Sequence, residues 1–376
     1  MKIAVLGAGM VGRAIAIDLN KKYAVTSFDI SLVSLAILKE KGIATVQTDL
    51  CNYSHYPALL NQFDFVVTAV PGYMGYDCLK AVIEAKKNVV DISFFPEDAW
   101  QLDALAKQNN ITAIADCGVA PGMSNMILGY YDTQMNVTAF ECMVGGLPKT
   151  RVKPFEYKAP FSPIDVIEEY LRPARLMENG IIVTKPPLTE PELINFDEVG
   201  TLEAFNTDGL RSLLYTMPHV PSMKEKTLRY PGHIDLIKAL KTGGFFNNTP
   251  VNFKGTLISP LEFSSAVLID QWKLGAGEEE FTIMRIKVTG LKEEKEITII
   301  YDLLDRYDAA TQTSSMARTT GYTCTAALHL LMNNIFTAKG VFPPEMVAKE
   351  NNCFGFILQY LADRNVIYRK TVVENE

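Results

Sequence analysis

Histidine is scarce in this sequence, with four residues in 376, at His55, His219, His233 and His329. They are dispersed, no H-E-x-x-H occurs, and no Ser–His–Asp grouping can be assembled from their neighbours. The six cysteines, Cys51, Cys78, Cys117, Cys142, Cys324 and Cys353, include no C-x-x-C pair, so neither zinc-finger nor disulfide-framework spacing is present. No metal site is expected, and the cysteines are expected as buried, reduced thiols. Long basic runs are missing and the net charge is −7, which argues against a nucleic-acid surface. No uninterrupted apolar run reaches membrane-spanning length, and the first residues read as a strand, not a signal peptide. The expectation is a cytoplasmic protein with no membrane or nucleic-acid partner.

What is present begins at Lys2–Gly12, KIAVLGAGMVG. The apolar run Ile3–Leu6 reads as a buried strand and leads into Gly7, Gly9 and Gly12, spaced G-x-G-x-x-G. Helix-periodic Val11, Ala14, Ile15 and Leu19 follow, which is the strand–turn–helix context of a dinucleotide fingerprint. Gly7 serves the tight turn, Gly9 admits a pyrophosphate and Gly12 admits the helix. Unpaired N–H groups at the start of that helix, around Met10 and Val11, would face the phosphates. Asp29 ends the second strand, 22 residues after Gly7. An acid there accepts from ribose hydroxyls and repels a 2′-phosphate, so NAD is favoured over NADP. The competing reading makes Asp29 or Ser31 an ordinary helix cap.

Strand and helix alternate to about Ala120, which predicts a doubly wound parallel sheet. Its strands are expected at Ile3–Leu6, Tyr23–Phe28, Ala44–Gln47, Phe63–Ala69, Asn88–Ile92 and Ile111–Ala115. Ligands bind at the carboxyl ends of such strands. Gly7, Asp29, Pro71, Asp91 and Asp116 should therefore share a rim, with Asp49, Val70 and Gly118 at neighbouring strand ends. From Asn136 the pattern changes to strand-like runs such as Val137–Val144, Val251–Ile258, Phe281–Gly290 and Glu296–Tyr301. Helices are expected at Pro163–Tyr170, Thr207–Met217 and Ile234–Thr242. This predicts an α+β region with a mostly antiparallel sheet, one face covered by helices and the other by a second subunit. Thr319–Phe336 should form a helix returning to the first domain. The expected division is 1–120, 121–318 and 319–376.

Asp116 and Asp91 are candidate general bases or amine-orienting groups, each also readable as a cap of loop amides. Asn206, Thr207, Asp208 and Arg211 group around an expected helix start, where a substrate carboxylate could be received. Arg229 and His233 share one stretch, and Arg318 is a weaker candidate. Solvent exposure, local ion pairs or loop hydrogen bonds account for the same residues equally simply.

The motifs VLGAGMVG (Val5–Gly12), DCGVAPGMSN (Asp116–Asn125), VGGLP (Val144–Pro148), LEAFNTDG (Leu202–Gly209), KTLRYPGH (Lys226–His233), SMARTTGYT (Ser315–Thr323) and KGVFPPE (Lys339–Glu345) together resemble the saccharopine dehydrogenase/saccharopine reductase superfamily. The resemblance is nearest to its L-lysine 6-dehydrogenase branch. It implies a Rossmann domain with an inserted α/β domain that binds substrate and mediates dimer or higher self-association. It further implies NAD-dependent oxidation of a carbon–nitrogen bond of an amino acid. On lysine this yields ammonia and 2-aminoadipate 6-semialdehyde. The alternatives are a saccharopine dehydrogenase, a carboxynorspermidine-type enzyme, or a nucleotide-binding protein without catalysis. Two departures from saccharopine reductases favour the lysine branch: Ala120 stands where they carry an acid, and Thr207 where they carry the arginine of Asn-Arg-Asp.

Overall fold

The computed structural model describes residues 1–159, 163–275 and 277–374. Strands β1 (Lys2–Leu6), β2 (Ala24–Asp29), β3 (Ala44–Gln47), β4 (Phe65–Thr68), β5 (Asn88–Asp91) and β6 (Thr112–Ile114) are all parallel. They lie side by side in the order β6-β5-β4-β1-β2-β3. The apolar runs of the central strands are explained by burial on both faces: Ile3 and Val5 face one core, Ala4 and Leu6 the other. Helices Met10–Asn20, Leu32–Glu40, Gly72–Glu84 and Asp103–Gln108 cross over between them.

The second sheet is built from β7 (Asn136–Pro148), β8 (Ala174–Glu178), β9 (Ile181–Lys185), β10 (Glu192–Phe196), β11 (Gly200–Asn206), β12 (Ser222–Arg229), β15 (Glu280–Lys292), β16 (Lys295–Arg306) and β18 (Tyr368–Glu374). Among the described residues its pairs are antiparallel except β12 with β7. Alternate residues of β7 and β15 serve opposite cores. Phe140, Cys142, Ile286 and Val288 face helices Met123–Asp132, Ser315–Met332 and Cys353–Ala362. Met143, Leu147, Phe281 and Ile283 face helices Pro163–Leu171, His233–Thr242 and Pro260–Trp272. Both faces are thus covered within one chain, and no second subunit is needed for that purpose.

Several local expectations change. The expected strand Val251–Ile258 is a hairpin of β13 (Val251–Phe253) and β14 (Thr256–Ile258), because Lys254 and Gly255 take positive φ angles of 52° and 87° and reverse the chain. The expected helix Thr207–Met217 is reduced to Leu213–Thr216, preceded by a loop in which Arg211 has φ 49°. Cys51 is exposed, while the other five cysteines are buried; all six are free.

Chain return is more extensive than the helix predicted at Thr319–Phe336. That helix runs Ser315–Met332 and packs along Met10–Asn20, and β17 (Gly340–Phe342) then adds to β6 as a seventh parallel strand. Asp18 fastens this return. Its buried carboxylate accepts from Arg364 Nε (2.8 Å), the Tyr360 hydroxyl (2.9 Å) and the Thr325 hydroxyl (3.1 Å). Burial by itself pushes the Asp18 pKa up, but the hydrogen bonds and charge of Arg364, with Tyr360 and Lys21, bring it below the usual value. Breaking one partner of a buried pair costs roughly 3–5 kcal/mol. Asp18→Asn is expected to lower the denaturation free energy at pH 7 by several kcal/mol. A carboxylate with a depressed folded-state pKa stabilises above its unfolded pKa and loses that contribution as pH falls. The difference between wild type and variant, measured by urea unfolding, should therefore shrink as pH drops below about 4.

Candidate active site

A cleft of about 1430 Å³ runs from the glycine loop, across the carboxyl ends of the parallel strands, to the second sheet. The three glycines meet different constraints. A Cβ on Gly7, which has φ 105°, would lie 2.2 Å from the Ala69 carbonyl oxygen. One on Gly12 would lie 2.1 Å from the Gly7 oxygen. One on Gly9 would meet nothing within 4 Å, because that position opens on the cleft. Helix Met10–Asn20 starts there with no side-chain cap and no acid in its first turn. Its N-terminus is therefore suited to a phosphate.

Asp29 carries its carboxylate to this loop, accepting from the Ala8 N–H at 2.6 Å and the Ser31 N–H at 2.7 Å. Ser31, not Asp29, caps helix Leu32–Glu40 by accepting from the Ser34 N–H. Gly7, Gly9, Met10, Val11, Gly12, Asp29, Asp49, Val70, Pro71 and Gly118 all line the cleft. This cradle fits a dinucleotide: an open backbone approach, an uncapped helix start and an acid at the second strand end occur together.

The acids at the other strand ends behave differently from expectation. Asp91 is fully buried beneath the cleft and is not among its lining residues. It accepts from the Thr68 hydroxyl (2.5 Å) and the Ser93 N–H (3.1 Å), while Ser93 Oγ accepts from the Val70 N–H (3.3 Å). Its pKa is pushed up to about 7, chiefly by burial. Through Ser93, Asp91 is tied to the Val70–Pro71 turn beneath the cleft lining. Asp116 does line the cleft, in a left-handed conformation (φ 55°), but its two oxygens are engaged by Arg211 Nε (2.9 Å) and Nη2 (3.0 Å). By the same contact Arg211, expected to receive a carboxylate, is already occupied.

Thr207, Asp208 and Arg229 line the substrate end; Asn206 and His233 do not. Asn206 is buried and donates to Glu190 (3.0 Å), turned away from the cleft. Thr207 exchanges a hydroxyl hydrogen bond with Thr227 (2.9 Å). Asp208 accepts from Arg175 Nε and Nη2, at 2.9 Å each. Arg229 donates to Tyr170 (3.0 Å) and to Glu169 (3.2 Å). His233 Nδ1 meets the Phe155 carbonyl (2.9 Å), which only accepts, so Nδ1 carries the proton and Nε2 accepts from Tyr170 (2.9 Å). Burial, aided by Arg229, pushes the His233 pKa down to about 3, so it is a neutral buttress of the Tyr170–Arg229 contact. Arg318 is buried against Asp305 and Asp308, outside the cleft.

Sequence reading missed Glu225 and Arg172. Both line the cleft, Glu225 beside Thr227 and Arg229 on one face of β12, Arg172 just after helix Pro163–Leu171. The i, i+2, i+4 spacing of Glu225, Thr227 and Arg229 was the available signal. Among the described residues no group of three His, Cys, Asp or Glu is placed to hold a metal ion, and no helix is long and apolar enough to cross a membrane.

A dinucleotide cradle joined to a charged pocket defines a nicotinamide-dependent oxidoreductase architecture. Residues 3–114 match the saccharopine dehydrogenase NADP binding domain, and residues 118–367 the saccharopine dehydrogenase C-terminal domain. The chain belongs to the saccharopine dehydrogenase family, whose members are NAD(P)-dependent oxidoreductases acting on CH–NH groups. It is 23% identical to carboxyaminopropylagmatine dehydrogenase of Synechocystis over 92% of both chains. It is 24% identical to carboxynorspermidine synthase of Vibrio cholerae, again over 92% of both. The L-Glu-forming saccharopine dehydrogenase of Saccharomyces cerevisiae has the same fold, with a TM-score of 0.81 and 19% identity over 99% of each chain.

The glycines separate binding from folding. Gly9→Val should weaken dinucleotide binding by tenfold or more in fluorescence titration while leaving the melting temperature near wild type. Gly12→Ala should destabilise the fold by about 1–3 kcal/mol, as overpacking does.

Proposed function

We propose that this chain is an NAD-dependent dehydrogenase of an amino acid bearing one carboxylate and a cationic amine, with L-lysine 6-dehydrogenase as the leading reading. The observation that carries it is the pairing of arginines at the substrate end. Arg175 is neutralised by Asp208, Arg211 by Asp116 and Arg229 by Glu169. Arg172 alone of these four has no ion pair among the described residues. Saccharopine carries three carboxylates and lysine one, and three of these four arginines are already neutralised within the protein. Thr207 supports the same choice, since its hydroxyl is turned to Thr227 and offers no charge.

A bound nicotinamide would supply the hydride acceptor. The glycine loop and Asp29 would hold the dinucleotide, and the Asp91-pinned Val70–Pro71 turn would border it. The second sheet would hold the amine-bearing carbon towards the strand ends. An alkylammonium has a pKa of about 10.4, so a proton must be removed before hydride can leave the carbon. The full-length likeness to enzymes named for carboxylated polyamine chemistry supports a second reading, a carboxynorspermidine-type substrate, which also has one carboxylate. Self-association is part of the proposal: the β13–β14 hairpin and the helix after it expose Val251, Phe253, Leu257, Phe263 and Val267.

Reduced-cofactor formation with L-lysine, saccharopine and carboxynorspermidine as separate substrates tests this. Turnover of lysine with release of ammonia is expected; preference for saccharopine would overturn the reading. Cofactor choice is tested separately. Asp29→Ser removes a charge that repels a 2′-phosphate and should shift the NAD-to-NADP ratio of kcat/KM by on the order of tenfold towards NADP. The matched domain is named for NADP, and the cations Arg13, which feels the charge of Asp29, and Lys41 also line the cleft. A wild-type preference for NADP would assign those cations to the phosphate.

A further inference from the structure

We propose that Glu225 receives the cationic amine of the substrate and takes its proton, while Arg172 holds the substrate carboxylate. This rests on the dehydrogenase reading above and identifies the groups that serve it. Glu225 is 7% exposed, and its carboxyl lies directly over Gly209, where a Cβ would fall 1.4 Å from Oε2. Gly209 leaves room for this carboxyl and nothing else. Among the described residues no hydrogen bond or ion pair reaches the Glu225 side chain, although it faces the cleft. The other carboxylates of this wall each have an arginine. A carboxyl that is mostly removed from water and meets it only at the cleft is poorly solvated when charged, and a bound cation would offset that cost.

The groups around it define its proton chemistry. Glu169 faces it from helix Pro163–Leu171, Asp208 and Arg211 from the loop after β11, and Cys142 from β7. Burial, then Glu169 and Asp208, push the Glu225 pKa up to about 8, against the opposing charge of Arg211. The free protein therefore keeps Glu225 protonated below about pH 8 and ionised above it. An acceptor with a pKa near the working pH is suited to general base chemistry. In the step assigned to it, one N–H bond of the substrate ammonium breaks and one O–H bond forms on Glu225. This leaves a neutral amine and a carboxylic acid, with no change of oxidation state. The proton then passes to solvent through the open cleft.

Arg172 is half-buried, with its guanidinium 5.5 Å from the centre of the Phe94 ring. Arg211 lies 4.6 Å from the same ring but is held by Asp116. Arg172 is thus the guanidinium at this wall that remains available to an incoming carboxylate.

The test is the pH dependence of kcat/KM for the amine that wild type oxidises. A limb rising with pH and centred near 8 is expected for wild type. Glu225→Gln should remove that limb and lower kcat/KM by about 10²–10⁴-fold, with dinucleotide affinity unchanged. Should Glu225→Gln fail to fold, Gly209→Ala, which crowds the carboxyl, should displace the limb and lower the rate. Arg172→Gln should raise KM at least tenfold with kcat nearly constant. An active wild type whose Glu225→Gln, or in its place Gly209→Ala, keeps both rate and limb overturns this proposal alone. Cofactor binding by wild type with no oxidation of any amine overturns the dehydrogenase reading and this proposal with it.

Discussion

Asp116 leaves β6 at the mouth of the dinucleotide sheet, Arg211 follows β11 of the second sheet, and their side chains meet at 2.9 and 3.0 Å, each 8% exposed. Both residues hold left-handed backbone conformations, which cost energy for non-glycine residues and persist only when surroundings impose them. The bidentate geometry fixes the orientation of two planes, not merely a distance. The cleft lies between the sheets that this pair joins, so its width depends on the pair. Phe94, from the loop after β5, supports the guanidinium from one side. Replacing either partner alone would leave a buried charge uncompensated, so the two are constrained together.

Electrostatic order in the cleft follows from such pairings. At the cofactor end the acid Asp29 is tied to backbone N–H groups and the phosphate site is a helix start, so charge there is complementary to a dinucleotide without a buried counter-ion. At the other end Asp208, Asp116 and Glu169 are each paired with an arginine, so most charges are cancelled internally. A pocket of that kind discriminates by the number and placement of ligand charges more than by apolar shape.

The dinucleotide half was largely legible in the sequence because parallel strands buried on both faces appear as short apolar runs, and because glycine spacing reports backbone geometry directly. All six of its early strands fall within the expected stretches apart from end residues, and the residues expected to bind the dinucleotide line the cleft. The second sheet was less legible. β12, SMKEKTLR, looks like a solvated loop, yet it is a central strand whose Lys224 and Lys226 are paired with Glu141 and Glu192. Those partners are far away in sequence, so no local pattern announces them. Asp116 and Arg211 looked like separate candidates for the same reason: nothing short-range shows that they neutralise each other. Glu225 was overlooked because its importance lies in lacking a partner, a property that only the assembled fold possesses.

The outer strand β17 pairs with β6 although Gly340 stands 226 residues beyond Ile114. Between them the chain builds most of another sheet. The dinucleotide sheet therefore cannot close its β6 edge during synthesis until residues 340–342 have emerged from the ribosome. Until then β6 presents unpaired backbone groups, an invitation to intermolecular strand addition. Such an arrangement couples completion of the dinucleotide sheet to synthesis of the second sheet that lies between its last two strands in sequence.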